Sequence, residues 1–165
     1  MVAADRTTRQ GIVVGLIAYA SVAVFYSTFD LLAARGTLYT VDLLGKAVFR
    51  GLRDPGLLQY PIRPDLSVIF WYNGLHLLIS LAIGLLVTRL IVQAERHPAQ
   101  APMVFFALVA GLVLTIVGVG LLTRSIRPVL PWWSIVLSNG LATLVAGLYL
   151  LRKRPGIWGR LKPVG

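Results

Sequence analysis

Two ionisable side chains, Asp30 and His76, stand inside long apolar runs of this sequence, and such groups in hydrocarbon are costly enough to be paired or put to use. A carboxylate and an imidazole entering from one leaflet offer three kinds of chemistry: proton exchange, a substrate contact, or a hydrogen bond to a quinone headgroup. Asn73 and Asn139 enter from the same side. Asp30, Asn73, His76 and Asn139 therefore form a candidate intramembrane polar cluster, which Tyr26, Ser27, Tyr72 and Ser138 are placed to extend. The plainer alternative is structural: Asp30 reaches the interface or pairs with Arg35, and a neutral His76 bonds Asn or Ser on another helix.

Sharper chemistry fails on residue counts. Haem held by two histidines needs a second intramembrane His, whereas His97 sits beside Pro98 in a turn, so only a homodimer sharing two copies of His76 supplies that ligation. No metal site is expected, because Asp30 and His76 are the only intramembrane ligands and differ in depth by roughly 8 Å of helical rise. Cysteine is absent, which excludes thiolate metal sites and disulfide exchange. No nucleophile, base and orienting group share a recognisable spacing. The sequence thus suggests no catalytic residue and no enzyme, and it selects no cofactor. A quinone slot remains open, since it asks only for an apolar wall with a His or Asp beside the headgroup.

The elements that must position these residues are four uninterrupted apolar runs, about 11–34, 67–88, 103–123 and 129–151, each about as long as a helix needs to cross hydrocarbon. With 57% apolar and 13% charged residues, the chain has no room for a soluble domain, and 1–165 reads as a single integral membrane domain. The first run is too long for the apolar part of a cleaved signal peptide and carries Asp30 near its end, so it is expected to be retained. The fold class expected is an all-α membrane protein: four transmembrane helices in a compact bundle, with a short amphipathic interfacial helix between helices 1 and 2. That helix spans about 41–53, with Thr40 as its cap, an apolar face of Val41, Leu44, Val48 and Leu52, and Lys46, Arg50 and Arg53 opposite. Pro55, Pro61 and Pro64 keep the stretch after it extended.

Small residues recur at helical spacing along every span: Gly11 and Gly15; Ser80, Gly84 and Thr88; Ala107, Gly111, Thr115 and Gly118; Ser134, Ser138, Ala142 and Ala146. In lipid such faces let backbones approach closely, so each is expected to meet a neighbouring helix, and the wide fourth face offers a second interface to another copy or another protein. Asn73-Gly74-Leu75 and Asn139-Gly140-Leu141 echo each other after Trp71 and Trp133, a match too short to establish duplication.

The net charge of +10 belongs to span ends, where anionic headgroups attract it, and nucleic acid is not an expected partner. Lys and Arg divide nine against seven between the two sides, and the Arg152-Lys153-Arg154 cluster opening the basic 152–165 tail places both termini in the cytoplasm. The Arg-over-Lys bias with abundant Ala, Gly, Leu and Val fits a bacterial inner (plasma) membrane. The function these features suggest is a non-catalytic accessory or assembly subunit, packed in the lipid bilayer against other membrane subunits or copies of itself. The competing readings are a small proton-linked carrier using Asp30 and His76, and a quinone- or haem-associated electron-transfer subunit.

Overall fold

A computed structural model describes residues 2–51 and 63–157. Its helices, in chain order, are α1 (Val2–Leu32), α2 (Tyr39–Phe49), α3 (Leu66–Arg96), α4 (Ala101–Leu122) and α5 (Trp132–Lys153). All but α2 are long and apolar enough to cross a bilayer, and the chain is an all-α, multi-pass membrane protein.

The helix α1 packs along α3 and α5, and among the described residues the α1–α3 seam is the most extensive contact between helices. Gly11 and Gly15 of α1 face Gly84 and Ser80 of α3. A Cβ built on Gly84 would strike the Gly15 amide nitrogen and the Gly11 carbonyl, and one on Gly15 would lie 2.7 Å from the Leu81 Cα. Contact between backbones leaves no flexible side chain to yield, so the seam requires glycine on both helices. On α5 the small face is buried too, through Ser134, Ser138, Ala142 and Ala146.

The α4 stripe departs from expectation. An added Cβ on Gly111 or Gly118 meets nothing within 4 Å, and Thr115 donates to its own Gly111 carbonyl at 2.8 Å. Burial on α4 is confined to Ala101 and Val104 at one end and Gly120 at the other. Small residues permit close packing, but they attract nothing in hydrocarbon without a shape to fit.

The short helix α2 is present between the first two spans, and it differs from expectation in the face that it buries. Its buried residues are Tyr39, Thr40, Asp42, Leu43, Leu44 and Gly45, whereas Val48 is 46% exposed. Leu52, Arg53, Pro55 and Pro61 lie outside the described residues. The buried face is rotated because α2 folds over the end of the bundle: Tyr39, Leu43 and Leu44 form one cluster with Ile126, Leu130 and Ile135. Gly45 is the point of contact with α3, where a Cβ would strike Val68. Leu130 belongs to this cluster and not to the fourth span, which begins at Trp132 because Pro131 is held extended at φ −67°, ψ 142°.

The turn out of α1 sets up everything at this end. Ala34 donates to the Leu31 carbonyl and Arg35 to the Asp30 carbonyl, at 3.0 and 2.9 Å, the bonding pattern that closes a helix through one left-handed residue. Ala34 takes that conformation, at φ 53°. The chain thereby turns back at Leu32 and delivers α2 beside the last turn of α1.

Candidate functional site

Asp30 lies in that last turn, 1% exposed. Its Oδ2 accepts from the Thr40 backbone N–H at 2.7 Å and its Oδ1 from the Thr40 hydroxyl at 2.6 Å. The first N–H groups of a helix have no acceptor within it, and here a carboxylate from the preceding helix supplies one. Thr40 is therefore not the cap of α2. The N-cap position is Leu38, which has no side-chain cap bond, and Thr40 is the group being capped. Nor does Asp30 pair with Arg35, whose guanidinium donates to the Val129 carbonyl at 3.0 Å and lies 5.1 Å over the Tyr39 ring.

Two further carboxylates repeat the device. Asp42, also 1% exposed, accepts from the Asp65 backbone N–H at 2.8 Å and from Lys46 Nζ at 2.5 Å. Asp65 then caps α3, its Oδ1 accepting from the Val68 N–H at 3.2 Å and its Oδ2 from Arg50 at 3.2 Å. The Val68 N–H, with Arg50 adding its charge, holds the Asp65 carboxyl below the usual carboxylate range. Asp30, Asp42 and Asp65 thus form a relay in which each acid fastens the chain that follows it.

Below the relay, a cleft of about 110 Å³ runs between α1, α2 and α3, with Asp30, Asn73 and His76 among its lining residues. Asn139 is not among them; its amide donates to the Ile135 carbonyl at 2.8 Å. Asn73 makes the same local bond, to Ile69 at 2.8 Å, but also accepts from the Tyr19 hydroxyl across the seam at 2.9 Å. His76 has ring neighbours in place of the expected Asn or Ser: its centroid lies 5.1 Å from Tyr19 and 6.2 Å from Tyr72. Tyr19 precedes Asp30 by about three turns, roughly 16 Å of rise, so His76 and Asp30 border opposite ends of the cleft rather than meeting.

At the other end of the bundle, Arg154 donates to Gln10 Oε1 through Nε at 3.0 Å and through a terminal nitrogen at 2.5 Å, and it pairs with Glu95. One guanidinium thereby joins the start of α1, the end of α3 and the end of α5. Sequence reasoning used Arg154 only as a topological charge and missed this role. The signal available was the rarity of acids: with six in the chain, a Glu at a span end is a natural partner for an Arg at another.

No protein-family model matches this chain, and neither a curated protein nor a solved structure is significantly similar to it.

Proposed function

We propose that this protein is a non-catalytic subunit of a larger membrane assembly, a small helical packing element in a bacterial inner membrane with both termini in the cytoplasm. The observation that carries the reading is the state of Asp30. Both of its oxygens are engaged at the start of α2, so the acid best placed to exchange protons is held as a helix cap, and a carrier built on Asp30 and His76 is disfavoured. Partner helices have a place to dock. The middle of α4 and the Gly140 and Gly147 face of α5 lie open, and close packing against such faces is how membrane helices associate. The tail-side orientation follows from Arg152 and Lys153 in the last turn of α5.

Isolation in mild detergent from its native membrane, with identification of co-purifying chains and an optical spectrum, tests the reading. Stoichiometric foreign subunits without a haem band are the expected result. A lone chain or homodimer that moves protons or solute in vesicles would replace it with the carrier, and a haem band with an electron-transfer subunit.

A further inference from the structure

The α1–α2–α3 cleft contains hydrogen-bonding groups that the fold does not use. Asp30, Thr40, Asn73 and Tyr26 have partners. Among the described residues, none hydrogen-bonds the Ser27 hydroxyl, the Tyr72 hydroxyl or the nitrogens of His76, and all three side chains line the cleft. His76 stands about 15 Å of helical rise inside α3, a depth at which polar groups find partners within the protein or in what it binds.

The cleft's chemistry narrows the ligand. Its lining has no Lys or Arg, and Asp30 borders one end, so a phosphate headgroup finds no counter-charge there. Val22, Ala23, Val41 and Leu44 supply apolar wall. The volume of about 110 Å³ is below the roughly 150 Å³ of an apolar cavity that accepts benzene, so a larger head is excluded and a single ring enters only with part of it in the cleft's open side. Val22, Ala23 and His76 are only half-buried, so the cleft has an open side along which a hydrocarbon tail can leave into lipid.

We propose that this cleft binds the ring headgroup of a neutral, lipid-soluble quinone or quinol, whose oxygens hydrogen-bond to Ser27, Tyr72 and His76. The proposal concerns binding alone and does not depend on the accessory-subunit reading.

The test uses the full chain in detergent micelles with ¹⁵N-labelled imidazoles, titrated with a benzoquinone bearing a ten-carbon tail. His76 and His97 are the only histidines, and His97 at the end of α3 serves as an internal control. The expected result is a saturable shift of the His76 signals with His97 unmoved. Tyr72→Phe and Ser27→Ala should each raise the dissociation constant roughly three- to tenfold, as loss of one neutral hydrogen bond implies. Both changes keep the packing volume nearly intact, and an unshifted His97 spectrum checks the fold. Should either variant lose its fold, quenching of tryptophan fluorescence on quinone titration in His76→Gln supplies the second measurement, with the same fold-change expected. Absence of saturation, an equal His76 shift from decanol, or affinities indifferent to the substitutions would overturn the proposal and leave water as the occupant.

Discussion

The α1–α3 seam and the α4 helix carry the same kind of small-residue stripe, yet one forms the most extensive helix contact among the described residues and the other is open. A Cβ on Gly84 would strike the backbone of α1, while one on Gly111 or Gly118 would meet nothing within 4 Å. The difference lies in what else joins the helices. Along α1 and α3, Tyr19 bonds Asn73, Arg154 bridges Gln10 and Glu95, and the carboxylate relay ties both helices to α2. The helix α4 has short turns at its ends, with Val104 and Ala101 packed against Ala94 at one of them. A glycine stripe makes close approach possible, and directional bonds at the ends determine where it is used.

The largest effect should come from filling the seam. Gly84→Ala places a methyl where backbone stands and should cost about 1–3 kcal/mol or more, read as loss of folded protein in a detergent-denaturation titration. Gly111→Ala in the same assay should be neutral. If the two substitutions cost the same, the contrast between seam and stripe is wrong. Gly111→Leu sharpens it further: it should leave the isolated chain stable while lowering the yield of co-purifying subunits, because only a partner would meet the new side chain.

Next in size is the relay. Asp30→Ala strands the buried Thr40 N–H and hydroxyl and should cost about 1.5–3 kcal/mol, whereas Asp30→Asn keeps one acceptor and should cost roughly half as much. Protease accessibility of the α1–α2 connection reports the release of α2. Equal tolerance of both variants would mean that α2 is held by its apolar cluster alone.

A gain is expected at Ala34. Its left-handed conformation is disfavoured by a Cβ, so Ala34→Gly should stabilise the chain by up to about 1 kcal/mol, without altering assembly.

The smallest effect is acid-dependent. The Asp65 carboxyl is held below its ordinary value of 3.8, so its contribution is complete above that pH and is lost as pH falls through the lower folded-state value. The protection of the Val68 amide, its exchange measured against the intrinsic rate at each pH, should fall below about pH 4 in the native chain and show no such acid step in Asp65→Asn. Protection that stays constant down to about pH 2 would remove Asp65 as the α3 cap.

How much of this was legible beforehand varies by residue. The four spans were plain, because apolar length alone drives a helix into hydrocarbon. Asp30 and His76 stood out for the same reason, as polar groups where few occur. Their partners did not. Thr40 reads locally as a helix cap, and only the reversal at Ala34 makes it a donor to the Asp30 carboxylate. Asn73 and Asn139 look equivalent in sequence and share the same bond to a carbonyl one turn back, but only Asn73 faces a tyrosine on another helix.

By itself, then, the sequence determined the number of membrane helices and the rarity of polar groups among them, since both follow from the cost of exposing backbone or charge to lipid. Tertiary structure decided which stripe became a seam, which face of α2 was buried, and which carboxylate capped which helix. Those outcomes depend on chain reversals and on backbone contacts between residues far apart in sequence, and hydropathy and helical spacing carry no information about either.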